Sequence, residues 1–132
     1  VDAVMSEFEK GADVVMHDAV ITDGDLNPTG KTAFELNSAG QGIFKNLLKN
    51  SYQGSCMAFR KEMKEYILPF PEKIPMHDQW IGLMGEKYGK VHLIDHPYIL
   101  YRRHGENASG TGSSLVQKIK WRINMAGCLL RK

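Results

Sequence analysis

The 132-residue sequence has no apolar run near the roughly 20 residues that a membrane-spanning helix needs. It also has few cysteines: Cys56 and Cys128 lie far apart and show no CxxC or Cys/His metal-ligand spacing. Two reduced thiols are typical of a cytosolic protein, with one disulfide as the alternative. The first residues carry acids and no hydrophobic segment like that of a signal peptide, so we expect a cytoplasmic protein.

Acidic residues are absent from the end of the chain. After Glu106 there are none, whereas five bases follow it: Lys118, Lys120, Arg122, Arg131 and Lys132. Without these five, 12 of the 17 bases remain against 15 acids, a net charge of −3. A basic tail on a mildly acidic body indicates an anionic surface as partner, and we expect phospholipid at the inner face of the membrane. Nucleic acid is not expected, because the body lacks a basic stripe with interleaved aromatics; a solvated helix face is the alternative.

The beginning of the chain lacks a helix cap. Val1, Val4, Met5 and Phe8 recur at helical spacing, and Gly11 is a good residue to end the helix. No capping residue or initiator methionine precedes Val1. We therefore expect the chain to begin inside a helix of a longer protein.

Composition and periodicity predict one α/β (α+β) domain, since 42% of the residues are hydrophobic and 24% are charged. Helices are distinguished from strands by the period of their apolar residues and by Gly, Pro and Asn clusters. The predicted order is strand 12–22, loop 23–30, helix 39–50, strand 53–59, helix 61–66, rigid connector 69–75, helix 77–88, strands 91–94 and 98–102 on either side of Pro97, linker 105–114 and helix 115–130.

The last predicted helix is amphipathic. Its apolar stripe covers about 100° of the helical wheel at 3.6 residues per turn. The stripe consists of Leu115, Val116, Ile119, Ile123, Ala126 and Leu130.

The acidic triplet Asp23-Gly24-Asp25 has the form of a DxD metal motif. It lies among Gly, Pro and Asn residues, so turn formation is the favoured interpretation. An EF-hand is excluded, because Pro28 and Phe34 stand where that loop needs glycine and a bidentate glutamate.

Two His-Asp pairs, His17-Asp18 and His77-Asp78, suggest a metal-dependent phosphohydrolase of the HD type as a weaker alternative. The first pair lies in a predicted strand, where adjacent side chains point to opposite faces and do not easily share one ion.

An ordered series of segments resembles the C-terminal half of family 2, GT-A type glycosyltransferases, especially the bacterial rhamnosyltransferase-like group. The matching segments are DVVMHDAVITDGD (13–25), YQGSCMAFRKEM (52–63), PFPEKIPMHDQWIGLMGEKYGKV (69–91) and PYILYRRHGENASG (97–110). The resemblance covers residues 1–110 and implies the acceptor-side part of a GT-A domain, with a small mixed sheet flanked by helices. Residues 111–132 would be a linker and a basic amphipathic helix.

The resemblance implies inverting transfer of a sugar from a nucleotide-diphosphate donor to the hydroxyl of a carbohydrate or lipid-linked acceptor, in cell-surface polysaccharide synthesis. That reaction needs a base for the acceptor proton, positive charge on the diphosphate and alignment of both substrates. The charge usually comes from Mg²⁺ or Mn²⁺ in the complete enzyme. We expect no metal on this part alone.

By the resemblance, Asp78 is the catalytic base, although His77 stands where a glutamate is more common, and a helix-start role for Asp78 is the alternative. His104 would lie near the metal, and Arg102 and Arg103 near the diphosphate. Surface arginines and a loop histidine are the alternative for these three.

Gly54 and Ser55 are expected to form the acceptor-side wall. Trp80 offers a face for stacking against a sugar, with a core position as the alternative because Trp80 and Met84 share a helical face.

The family's nucleotide-binding strands and acidic metal motif lie upstream of the region matched here, so we expect this chain alone to be inactive. Surface left uncovered by that half also predicts self-association. The competing hypothesis is a non-catalytic module that binds a membrane or partner through the basic helix.

Overall fold

The computed structural model describes residues 1–104 and 113–132. Most of the predicted linker 105–114 therefore lies outside the described residues. The elements in chain order are α1 Asp2–Glu9, β1 Val14–Thr22, β2 Pro28–Thr32, α2 Ala33–Asn37, α3 Ile43–Leu48, a 3-10 turn Gly54–Cys56, β3 Met57–Phe59, a 3-10 turn Lys61–Met63, α4 Lys64–Ile67, α5 His77–Tyr88, β4 Val91–Arg102 and α6 Leu115–Arg131.

The sheet is built around β1. Within the described residues it has four strands: β4 pairs with β1 in parallel along its length, while β2 and β3 pair antiparallel with its two ends. β1 is buried almost throughout, as its near-continuous apolar sequence VVMHDAVIT requires of a central strand. This mixed sheet with flanking helices confirms the predicted α/β class.

Strand β4 differs from the prediction of two strands separated at Pro97. One strand runs from Val91 to Arg102, with irregular register where Pro97 lies opposite Asp18. Proline has no backbone N–H to donate, so the ladder shifts register there instead of ending. Pro97 therefore marks an irregularity within one strand.

Other predicted boundaries were partly wrong. The loop 23–30 gives way to β2 at Pro28, and the helix predicted over 39–50 spans only Ile43–Leu48. Helix α2 was not predicted, although the sequence contains the two residues of its capping box, Thr32 and Glu35. The strand predicted over 53–59 and the helix predicted over 61–66 both begin with 3-10 turns. Strand 12–22 and helices 77–88 and 115–130 are confirmed.

The core is densest around α5, which contributes the fully buried Trp80, Leu83 and Met84. Helix α4 packs against it with Ile67, and α6 adds Met125. Within the described residues, no helix is long and apolar enough to cross a membrane.

Helix α5 also lies directly against Tyr52. A Cβ atom on Gly82 would lie 2.1 Å from Cδ2 of the Tyr52 ring, a distance that atoms cannot adopt. The absence of a side chain at Gly82 therefore sets how closely the helix approaches the segment containing Tyr52.

We predict that Gly82→Ala destabilises the fold by about 1–3 kcal/mol, because the new methyl group overpacks the core against Tyr52. Gly127→Ala is the matched control, since Gly127 lies in α6 with no atom within 4 Å of a new Cβ. It should raise stability by up to about 1 kcal/mol through helix propensity. Urea unfolding measures both changes, and equal stability of the two variants would contradict the packing explanation.

Candidate active site

A cleft of about 270 Å³ opens where β1 and β4 end and α5 begins. Ligands of open α/β sheets commonly bind at the carboxyl ends of strands. The cleft is lined by Ile21, Leu36, Asn37, Asn50, Tyr52, Gln53, Met76, Asp78, Tyr101 and Arg103. Amides, tyrosines, one carboxylate and one guanidinium suit a ligand with many hydroxyl groups and a negative charge.

Asp78 lies in the first turn of α5 and is half-buried. Its Oδ1 accepts a hydrogen bond from the backbone N–H of Gln79 at 2.7 Å, and its Oδ2 accepts one from the N–H of Gly54 at 3.3 Å. The N-cap position belongs to Met76, so Asp78 is a first-turn residue and not the cap. A carboxylate has about four lone-pair sites, so both oxygens retain capacity to accept a further proton or hydroxyl.

Of the two residues predicted to form the acceptor-side wall, only Gly54 lies beside Asp78. Gly54 lies against Asp78, where a Cβ atom on the glycine would be 3.6 Å from that of the aspartate. Ser55 lines a separate, largely apolar pocket with α1 residues such as Val4 and Phe8. Gly54 therefore lies beside Asp78, and neither residue of the pair is among those that line the cleft.

The three basic residues at the end of β4 diverge. Arg103 lines the cleft, and its backbone N–H donates to the Thr22 carbonyl at 2.9 Å, which continues the parallel ladder. Arg102 lies next to Tyr101 on the strand, so its side chain points to the opposite face. His104 is exposed and is not among the residues that line the cleft.

Trp80 is fully buried, and its indole Nε1 donates to the Ile67 carbonyl at 2.9 Å. No face of the ring is left for a sugar, so the structure supports the core position for Trp80.

A buried polar network holds the cleft wall against α5. Asn46 is fully buried; its Nδ2 donates to the Gly40 and Gly42 carbonyls, both at 2.9 Å, and its Oδ1 accepts the Ser51 N–H at 2.9 Å. Gln79, next to Asp78, donates from Nε2 to the Asn46 carbonyl at 2.7 Å. These hydrogen bonds connect the segment before Tyr52 and Gln53 to α5, the helix that carries Asp78.

Tyr52 adds a second tie to the same helix. Its hydroxyl donates to Glu86 Oε1 at 2.7 Å, and the N–H of Gly42 donates to the same oxygen at 2.6 Å. Burial raises the pKa of Tyr52 well above its ordinary value, and the hydrogen bond to Glu86 and the charge of that residue raise it further.

The sequence did not predict that Asn37, Asn50, Tyr52 and Tyr101 line the cleft. These residues lie in loops or at element ends and carry no motif of their own.

The DxD-like triplet forms a turn. Asp23 Oδ1 accepts the N–H groups of Asp25 and Asn27, both at 2.9 Å, and its Oδ2 accepts the Asn27 side-chain amide at 3.3 Å. The bond from the Asn27 backbone is the main cause that lowers the pKa of Asp23. The carboxylate therefore serves the turn, as the composition indicated.

Residues 1–104 and 113–132 contain no group of three or more His, Cys, Asp or Glu side chains placed to hold a metal ion. Asp78 and Arg103 alone do not make the oxygen-rich site that Mg²⁺ prefers. The described residues therefore do not fit a complete metal site, and the Mg²⁺ or Mn²⁺ expected from the resemblance would need ligands from elsewhere.

His17 and Asp18 make contacts with different parts of the fold. Asp18 is buried, and its Oδ1 accepts the N–H of Phe34 at 2.9 Å, which ties α2 to β1. The His17 ring lies edge-on to Tyr98, with 5.6 Å between ring centroids. The Asp18 carboxylate thus holds the fold together.

Comparison of the chain with protein-family models, with curated proteins and with solved structures finds no match.

We predict that the free energy of unfolding falls as the pH rises above about 10, because the unfolded chain releases the Tyr52 proton near 10.0 whereas the folded chain retains it. Tyr52→Phe should show a smaller alkaline loss. Tyr98→Phe, at a half-exposed tyrosine, is the control and should keep the wild-type slope. Urea midpoints at neutral and alkaline pH measure the difference; equal slopes in all three proteins would contradict it.

Proposed function

We propose that this chain is the acceptor-side part of an inverting, nucleotide-sugar-dependent glycosyltransferase of GT-A fold. The observation that carries the proposal is the common cleft of Asp78 and Arg103 at the carboxyl ends of β1 and β4. These residues come from different segments of the resemblance, and one supplies a carboxylate while the other supplies a cation.

In this proposal, an acceptor hydroxyl binds beside Asp78 and transfers its proton to a carboxylate oxygen as it attacks the donor sugar. The hydrogen bonds from Gly54 and Gln79 fix the orientation of that carboxylate. The amides of Asn37, Asn50 and Gln53 offer donors and acceptors for sugar hydroxyls.

Arg103 would bind the diphosphate through its guanidinium, which pairs well with phosphate oxygens. A divalent cation would need ligands from outside the described residues, and there it would add positive charge near the diphosphate. The nucleotide pocket belongs to the upstream half that the resemblance implies.

A single-displacement reaction suits this cleft better than a double displacement. Asp78 is the one carboxylate among the described residues that line it, so a base is available but no second acid to act as nucleophile. A phosphohydrolase of the HD type is less well supported, because Asp18 is committed to the α2 backbone.

We predict that the 132-residue chain alone does not turn over nucleotide sugars, because the proposal assigns donor binding to residues outside these 132. Release of nucleoside diphosphate from a panel of nucleotide sugars measures this. Turnover above a buffer control would contradict the division of the site between two halves.

In the protein that includes the upstream half, Asp78→Asn should lower kcat by about a hundredfold or more, since the amide cannot take the acceptor proton. Donor affinity should stay unchanged. Asp95→Asn, the same charge change at an exposed β4 position, serves as the control and should keep the wild-type rate. Wild-type kcat in Asp78→Asn would remove this residue as the base.

A further inference from the structure

Helix α6 exposes its apolar stripe to solvent. Val116 is 75% exposed, Ile123 65% and Leu130 85%, and Leu115 and Ile119 are also exposed. These five belong to the arc of about 100° that the sequence defines, so the exposed residues form one continuous face. We call this face the α6 stripe.

Residues of α6 outside the α6 stripe fix this orientation. Met125 and Leu129 are buried in the core. Lys87 Nζ donates to the Leu129 carbonyl at 2.7 Å, and Arg122 Nη2 donates to the Leu48 carbonyl at 2.6 Å. The helix is therefore held on the domain with the α6 stripe pointing away from it.

Bases flank the α6 stripe on both edges. On the helical wheel, Lys120 and Arg131 lie within about 60° of one edge and Arg122 within about 20° of the other. All three are exposed, and α6 contains no acid. A partner must therefore be apolar at its centre and negatively charged at its rim.

We propose that α6 docks on an anionic phospholipid surface, with the α6 stripe in the interfacial region and Lys120 and Arg131 among the headgroups. A helix with a broad apolar face and basic edges has the pattern of an interfacial helix. A second copy of the chain is a poor occupant, because pairing the two stripes would bring the flanking bases of both copies together. This proposal does not depend on the transfer reaction.

The cleft lies near α6. Trp121 and Arg122 line a small cavity of about 130 Å³ together with Asn50 and Met76, and the last two residues also line the cleft that contains Asp78. If the proposed transferase function holds, this neighbourhood favours an acceptor that is itself attached to a lipid.

The test is co-sedimentation of the 132-residue chain with phosphatidylcholine vesicles, with and without phosphatidylglycerol. We expect binding only with phosphatidylglycerol, weakening as salt is added. The double variant Ile119→Asn/Ile123→Asn should bind at least about tenfold more weakly, because two apolar side chains no longer enter the interface. The double variant Lys120→Gln/Arg131→Gln should bind about thirtyfold more weakly.

The double variant Lys31→Gln/Lys61→Gln is the matched control, since it removes the same charge from exposed sites outside α6. It should bind within a few-fold of wild type. Circular dichroism and urea unfolding confirm that each variant is folded. Absence of binding by the folded wild-type chain would overturn the proposal, as would unchanged binding in the Ile119→Asn/Ile123→Asn variant or an equal loss in the Lys31→Gln/Lys61→Gln control. Vesicle binding by the wild-type chain and its variants does not involve sugar transfer. Failure of the membrane proposal would therefore not count against the transferase proposal.

Discussion

The parallel pairing of β1 with β4 organises this molecule. From Val14 opposite Val91 to Thr22 opposite Arg102, the two strands run side by side in the same direction. Parallel neighbours cannot be joined by a tight turn, so the chain between them must cross over. That crossover contains α2 to α5, and the carboxyl ends of both strands meet at one edge, where the cleft forms.

The pairing of β1 with β4 does not by itself bring the Asp78 carboxylate to the cleft. Helix α5 is held at this edge by contacts with earlier residues of the crossover. The ring of Tyr52 lies over Gly82, the Tyr52 hydroxyl donates to Glu86, and the Asn46 carbonyl accepts a hydrogen bond from Gln79. Each tie is buried or half-buried, where an unpaired polar group costs about 1–3 kcal/mol. Asp78 is consequently held at the start of a helix that is anchored along one face, at Gln79, Gly82 and Glu86. The proposed function requires such a fixed geometry of its base.

The sequence predicted the long elements well. Strand β1 and helices α5 and α6 follow from apolar periodicity, because their patterns extend over many residues. The short elements were missed or misplaced: β2 and α2 were not predicted, and β3 and α4 begin later than the predicted strand 53–59 and helix 61–66. At the site, Asp78 and Arg103 were predicted and line the cleft, and the predicted Gly54 donates a hydrogen bond to Asp78.

Other site residues could not be predicted from sequence. Asn37, Asn50 and Tyr101 come from three separate segments, and only the crossover brings them together. Arg102 and Arg103 are adjacent in sequence, yet only Arg103 lines the cleft, because successive side chains of a strand point to opposite faces. The direction of the α6 stripe likewise depends on which side of the helix finds the core, because both sides carry apolar residues.

The proposed function assigns direct displacement at the sugar to this cleft, with Asp78 as the base for the acceptor proton and Arg103 as the cation for the leaving group. The stereochemistry of the product tests this most directly. A protein that joins this chain to the donor-binding half required by the proposal would be given nucleotide sugars of known anomeric configuration, and the new linkage would be assigned by proton NMR. We predict transfer with inversion at the anomeric carbon; transfer with retention, or hydrolysis of the donor without any transfer, would contradict it.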